Sequence, residues 1–395
     1  VTDGPLTGLR VLDLSRVLAG PLCTMVLADL GAEVIKVERP GRGDPTRAWG
    51  PPFVEGESTY YLCVNRGKRS ITLDLADVAG REVGRRLAAR ADVVVDNFLP
   101  GSAARLGLDH ATLAAGRPGV VTCSITGYPE DGPDAGRPGF DVAIQAEAGL
   151  MAITGSPDGP PTKVGVAVSD VTAGLFASIG VLAALAEARA GGPGRHVEVS
   201  LYDAQLAGLI NRASDWIVAG EDQGRLGNAH PAIVPYEAFL AADGDLVLAV
   251  GTDEQFARFC EVAGLGALAA DARFARNGGR VAHRLELVAA IADAISQRTV
   301  AEWTADMAEA GVPGGPVRSL PEVFARLPQA AVEHEHPVLG TVRTVRSPLL
   351  FDGSRPTAAA APPLLGQHTA EVLAEAGYAE RAITALQQGP CRAGA

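Results

Sequence analysis

The stretch GLRVLDLSRVLAGPLCTMVLADLGAEVIKVE (8–38) decides the fold class. Its ends, GLRVLDLS (8–15) and EVIKVE (33–38), are short apolar runs rich in Val, Leu and Ile, and the segment between them spaces its apolar residues as a helix does. Strand, helix, strand in that order makes a parallel pair, because the helix carries the chain back to the start of the sheet. The same order recurs in SITLDL (70–75), a helical pattern near 78–90 and DVVVDNF (92–98), then in a helix near 109–115 followed by VVTCSITGY (120–128). Repeated units of this kind predict an α/β fold: a Rossmann-like parallel sheet with helices on both faces, binding ligands beyond the carboxyl ends of its strands.

Further along, KVGVAVSD (163–170) reads as another strand, followed by a long Ala- and Gly-rich helix that glycine stops at GGPG (191–194). HVEVSLYD (196–203) reads as a strand. From about 205 the pattern changes to a helix through LAGLINRASDWIVAG (206–220), then to YEAFLAADGDLVLAVG (236–251), an antiparallel hairpin turning at Asp243-Gly244. Helices and short loops run on to about 325, and the tail from 337 carries short strands, a proline-rich crossing at 355–363 and a last helix, HTAEVLAEAGY. The stretch up to about 325 is the candidate for a smaller domain.

With 395 residues the chain is long enough for two apolar cores. Hydrophobic residues at 47% and charged residues at 20% give the balance of a soluble globular protein. The segment VTDGPLTGLR lacks the basic-then-apolar order of an export signal, and the most apolar stretches, such as 164–188, are interrupted by polar residues, so a cytoplasmic protein with no membrane partner is expected. Five scattered cysteines (Cys23, Cys63, Cys123, Cys260, Cys391) without a C-x-x-C pair suit reduced thiols. A net charge of −12 excludes general nucleic-acid binding, so any anionic ligand needs a local cluster of Arg and Lys.

The turn SRVLAGP (15–21) holds a single glycine, which argues against a dinucleotide site of the G-x-G-x-x-G kind. Basic residues gather in loops expected at the ligand edge: Arg16 after the first strand, Arg39, Arg42 and Arg47 after the second, Arg66, Lys68 and Arg69 before the third, and Arg105 after the fourth. As a set they suit a ligand with several phosphates; singly, each is equally a solvated loop residue. Asp170, between a strand pattern and a helix, reads in two ways: a helix N-cap, or a carboxylate at the ligand edge that its small neighbours Ser169, Ala173 and Gly174 leave open to substrate. His334 and His336 have no third metal ligand near by, no G-x-S-x-G elbow is present, and Tyr60, Tyr61 and Trp303 read as packing.

Six stretches, GLRVLDLSRVLAGPLCTMVLADLGAEVIKVERPGRGD, NRGKRSITLDL, DNFLPGSAARLGL, TGSPDGPPTKVGVAVSDVTAGL, GPGRHVEVSLYDA and APPLLGQHTAEVLAEAGY, span residue 8 to about 380 and resemble the family III CoA-transferases. That family includes formyl-CoA transferase and carnitine CoA-transferase, and alpha-methylacyl-CoA racemase is a relative. The resemblance implies a large α/β domain from both chain ends (1–204 and 335–395), a linker helix at 205–225, a smaller α+β domain at 226–334 inserted late, and two ring-like subunits threaded together as a homodimer. It implies coenzyme A and acyl-CoA as substrates with no permanent cofactor, and a carboxylic acid as the acceptor. It makes Asp170 the nucleophile, and assigns coenzyme contacts to Arg16, Leu18, Ala19, Arg39, Asn65, Lys68, Arg69, Asn97, Phe98, Arg105 and Gly139, with Phe140 in the substrate pocket. Where the racemase has a histidine in G-H-D-I-N, this chain has Gly139-Phe140-Asp141; phenylalanine exchanges no proton, which favours transfer over isomerisation. The glycine run over the active site of formyl-CoA transferase has no counterpart in 236–254, so formate and oxalate are not expected substrates. Two rivals stay open: an isomerase acting at the α-carbon with another base, and a CoA-binding protein without catalysis.

Overall fold

A computed structural model describes residues 4–388. Six strands, β1 (Arg10–Asp13), β2 (Glu33–Glu38), β3 (Lys68–Thr72), β4 (Val93–Asp96), β5 (Val121–Thr126) and β6 (His196–Ser200), form one parallel sheet in the spatial order β3-β2-β1-β4-β5-β6. Six helices matter to the site: α1 (Ala19–Asp29), α2 (Val78–Ala88), α3 (Asp141–Glu147), α4 (Val168–Arg189), α5 (Leu201–Gly208) and α6 (Thr369–Glu375). Alternate strand residues face opposite ways, so the sheet feeds two cores. On one face Val11, Val34, Val93, Val95 and Cys123 meet Cys23 and Leu27 of α1 and Ala173, Ala177 and Val181 of α4. On the other, Leu12, Val37, Ile71 and Val94 meet Val83 and Leu87 of α2 and Val372 and Leu373 of α6.

The strand order reverses between β1 and β4, so the loops leaving these neighbours diverge and open a crevice beyond their carboxyl ends. Asn97 bridges it: the Arg16 N–H donates to Asn97 Oδ1 at 3.0 Å, and Asn97 Nδ2 donates to the Arg16 carbonyl at 2.7 Å.

Residues 163–167 are irregular rather than a strand, and the helix already starts at Val168. The place beside β5 that such a strand would need is filled by β6. Helix α4 is long and apolar enough to cross a membrane by length and composition; here Ala173, Gly174, Ala177 and Val181 are buried in the core.

The chain divides into two compact units: Val1–Ala148, Gly165–Ala213 and Gln329–Ala395 in one, Gly149–Val164 and Ser214–Pro328 in the other. The first draws on both chain ends, since α6 joins the β2–β3 face and the Ala358 N–H donates to Asp29 Oδ1 at 3.0 Å. It also holds the hairpin of β7 (Ala331–His336) and β8 (Gly340–Val345). The second unit contains the expected antiparallel hairpin, Tyr236–Leu240 with Asp245–Ala249, joined by Gly314–Pro316. Its core packs Phe239, Leu246, Phe259 and Ile291 against Trp303, whose indole N–H donates to the Ile295 carbonyl at 2.9 Å.

Candidate active site

Asp170 is the third residue of α4, inside the first turn; the N-cap position belongs to Ala167, which offers no side-chain oxygen. The capping duty is met from elsewhere. Asp141 Oδ1 accepts the Ser169 N–H at 2.8 Å, and Gln145 Nε2 donates to the other Asp141 oxygen at 2.6 Å. Ser169 Oγ donates to Gln205 of α5 at 2.7 Å. The helix start is therefore fastened without Asp170, and the structure separates two readings that the local sequence leaves together.

The Asp170 carboxyl lies near the backbone N–H of Ala19, the first residue of α1 and one of the donors a helix N-terminus leaves without an intrahelical partner, and that N–H draws its pKa down. Two helix N-termini thus meet at one carboxylate, each presenting the positive end of its dipole. Gly174 makes this approach possible: a Cβ there would lie 2.6 Å from the Ala19 carbonyl oxygen. Burial, and then the charge of Asp141, push the Asp170 pKa up to about 7, and the Ala19 N–H offsets only part of that rise. Tyr60 faces it as well: burial and then the Asp170 charge push its phenol up to about 12. Tyr61 and Trp303 are buried packing residues as expected, and Tyr60, half-buried and edge-on to Trp49, packs against Leu18, Met25 and Val64 while lying near Asp170.

Phe140 precedes α3 and is 59% exposed beside Asp141. Gly139 sits where backbones cross, since a Cβ on it would lie 2.6 Å from the Gly127 Cα. At the carboxyl edge, Arg16, Arg39 and Arg105 are exposed, Asn97 and Phe98 are half-buried, and Leu18 and Ala19 are buried at the start of α1. Arg105 Nη2 donates to Ser102 Oγ at 2.7 Å.

Of the other expected cations, Arg42 is exposed in the loop after β2, whereas Arg47, Arg66, Lys68 and Arg69 are paired within the protein. Residues that precede a parallel strand lie at its amino end, and β3 begins at Lys68, so Arg66, Lys68 and Arg69 enter the sheet from the far side. Arg69 is held by Glu33, Glu371 and Glu375 at 2.6–2.9 Å, and Arg66 by Asp29 at 2.6 Å. Arg47 pairs with Glu38 at 2.7 Å and lies over the Tyr61 ring. Lys68 is buried; its ammonium reaches Asp13 at 3.1 Å, the Pro21 carbonyl at 2.8 Å and Asn65 Oδ1 at 2.9 Å. Burial pushes Lys68 down to about 8, while Asp13, which burial alone would raise, is drawn to about 2 by Lys68 and Lys36. Asn65, Lys68 and Arg69 therefore stand as internal supports: the first two brace the turn below the crevice, and Arg69 ties β3 to α6. Sequence reading also passed over Asp141 and Gln145. Asp141 lay within the motif used to judge Phe140, and its capping partner is distant along the chain.

His334 bonds Thr344 Oγ1 at 2.8 Å and the Ala359 carbonyl at 3.2 Å, and His336 Nδ1 accepts the Leu339 N–H at 3.1 Å, so both histidines stitch the β7–β8 region. Among the described residues no three His, Cys, Asp or Glu side chains gather as metal ligands. Cys23, Cys63, Cys123 and Cys260 are free thiols, and Cys391 lies outside the described residues.

Residues 6–369 match CoA-transferase family III. A succinate–glutarate CoA-transferase of Agrobacterium fabrum is 44% identical over 395 aligned residues, covering 96% of this chain and 98% of that protein. An acetyl-CoA:oxalate CoA-transferase of Acetobacter aceti is 40% identical, covering 89% of this chain and 90% of that protein. The crystal structure of a CAIB/BAIF family protein from Brucella suis superposes with a TM-score of 0.83 at 40% identity, covering 95% of this chain and all of that one. The chain belongs to CoA-transferase family III and is a CoA-transferase.

Proposed function

We propose that this enzyme moves coenzyme A between dicarboxylic acids, from succinyl-CoA to an acceptor such as glutarate, with Asp170 as the covalent carrier. The observation that carries the Asp170 assignment is that its carboxylate is not the cap of its own helix yet sits at two helix N-termini, with burial and then the charge of Asp141 raising its pKa to about 7. The acyl specificity follows the name of the Agrobacterium relative.

The ionised Asp170 oxygen attacks the thioester carbonyl; the C–S bond breaks, CoA thiolate leaves, and an aspartyl-acyl anhydride forms. The thiolate then attacks the aspartyl carbonyl, releasing the donor carboxylate and leaving an aspartyl-CoA thioester. The acceptor carboxylate attacks that thioester to form a second anhydride, and the thiolate returns to its acyl carbon, giving the new acyl-CoA and free Asp170. No proton is consumed in the cycle. The Ala19 N–H and the N-terminus of α4 stabilise the oxyanions that develop at these carbonyls. Phe140, where the related racemase has histidine, exchanges no proton, which supports transfer over α-carbon isomerisation.

Arg16, Leu18, Ala19, Arg39, Asn97, Phe98 and Arg105 form the coenzyme edge, with Gly139 and Phe140 bordering the acyl pocket. The expected partition, 1–204 with 335–395, a linker helix at 205–225 and a small domain at 226–334, differs from the compact units, which put 149–164 in the second unit and the boundaries at Ala213 and Gln329. The enzyme works in the cytoplasm as an interlocked homodimer. Exposed Leu175, Phe176 and Ile179 on α4, with Leu206 and Ile210, give a second subunit an apolar face to cover. The deciding experiment incubates the protein with succinyl-CoA, acetyl-CoA and formyl-CoA against glutarate, oxalate and mesaconate, with products read by mass spectrometry. Succinyl-CoA and glutarate should be the best pair; no CoA exchange with any pair would overturn the proposal.

A further inference from the structure

Val17 stands between Arg16 and Leu18 in the turn that opens α1, and its φ is +72°. A β-branched residue avoids this left-handed region because its Cβ crowds the following carbonyl, so something outside the residue must hold it there. The surroundings supply that hold. The Val17 N–H donates to both Asp44 oxygens at 3.3 Å. Asp44 is buried, forms an ion pair with Lys36 at 3.0 Å, and accepts the Thr46 N–H and hydroxyl at 3.0 and 2.8 Å. Lys36 also donates to the Ser15 carbonyl at 2.9 Å, and Lys68 to the Pro21 carbonyl at 2.8 Å. The turn is thus pinned before, at and after Val17, and the Ala19 N–H that meets Asp170 lies within the pinned stretch.

We propose that Asp44 is a positioning residue for CoA transfer: by holding the Val17 N–H it fixes the left-handed turn and keeps the Ala19 N–H aimed at the Asp170 carboxylate. The inference rests on Asp170 being the nucleophile. Asp44 touches no substrate and acts through the backbone of residues 17–19. Burial alone would raise the Asp44 pKa, but Lys36 and the Thr46 N–H and hydroxyl together lower it, so Asp44 binds the N–H as an anion, the stronger form of such a bond. The titratable groups facing Asp170 are Asp141 on α3 and Tyr60 on the Thr59–Leu62 turn; α1 has no acidic residue in its first turn, and α5 offers neutral Gln205 to the neighbouring Ser169. The Ala19 N–H is the contact that lowers the Asp170 pKa, so losing its aim raises that pKa further.

The test is the pH profile of kcat/KM. In Asp44→Asn the acid limb should move up by about 0.5–1 pH unit, with kcat falling about 10-fold and KM for acyl-CoA changing less. Glycine adopts the left-handed turn without the steric cost, so adding Val17→Gly should bring both limb and kcat back towards wild type. A purely structural role for Asp44 at Thr46 and Lys36 predicts no such rescue. If Asp44→Asn fails to fold, Val17→Pro removes the same N–H and forbids the same φ while leaving the Asp44–Lys36 pair in place, and it should shift the limb likewise. An unmoved limb in a folded variant, or no rescue by glycine, overturns the proposal. Absence of a hydroxylamine-trapped adduct at Asp170 in the wild type would instead sink the nucleophile assignment, so the two failures are distinct.

Discussion

Replacing Asp170 by Asn should abolish transfer and at the same time stabilise the fold at alkaline pH. The site raises the Asp170 pKa from 3.8 to about 7. Each unit corresponds to about 1.4 kcal/mol, so roughly three units set a ceiling of about 4 kcal/mol on the cost of carrying this charge in the folded state. Local relaxation and water entry lower that, and about 1–3 kcal/mol is the expected gain for the neutral amide, which keeps an oxygen for the Ala19 N–H. The sign follows from proton binding. Because the folded carboxyl holds its proton more tightly than the unfolded one, the cost is absent below about pH 4, grows between about 4 and 7, and is complete above 7. The melting temperature of Asp170→Asn should therefore exceed wild type at about pH 8, with roughly half that advantage left at about pH 5.5. Turnover should fall by about 10⁴-fold, and the hydroxylamine-trapped adduct should vanish while CoA still binds. An N-cap aspartate predicts the opposite pattern, since asparagine caps as well as aspartate and would change neither stability nor its pH dependence. Equal melting temperatures at both pH values would refute the buried-charge argument, and full turnover in a variant checked for deamidation would refute the mechanism.

Asp141→Asn keeps an oxygen for the Ser169 N–H but removes the charge that helps to raise the Asp170 pKa, so the acid limb of kcat/KM should move down, opposite to Asp44→Asn. Arg39→Ala and Arg105→Ala, both exposed and outside the cores, should each weaken CoA binding about 10-fold or more by calorimetry with unchanged circular dichroism; unchanged affinity in both would remove them from the coenzyme edge. Sedimentation should show a dimer at sub-micromolar concentration, and a monomer there would reject the interlocked assembly.

The parallel sheet was legible because strands buried on both faces carry continuous β-branched runs, as Val93, Val94 and Val95 do in β4. The run at 163–170 misled for a related reason. Val164, Val166 and Val168 alternate with small residues as a half-buried strand does, but alternation records only a preference, and the edge beside β5 is occupied by β6. The basic cluster was half legible. Position relative to a strand places Arg16, Arg39 and Arg105 on the carboxyl side, and the same rule places Lys68 and Arg69 on the amino side; what no local pattern shows is the carboxylate each one meets.

That last gap is where the functional reading turns. A carboxylate at the start of a helix has the same local sequence whether it caps the helix or attacks a substrate. The difference lies in whether another group meets the backbone donors. Here Asp141, from a different helix, takes the Ser169 N–H, and Asp44, from the loop after β2, takes the Val17 N–H, so the two turns flanking Asp170 are held by acids that do no chemistry. The Asp170 carboxylate is left with a single backbone donor, and burial, then the like charge of Asp141, raise its pKa to about 7. If either supporting acid is neutralised, the balance at Asp170 should shift in a direction fixed by its role: down when the like charge of Asp141 goes, up when the Ala19 N–H drifts with the turn that Asp44 holds at Val17.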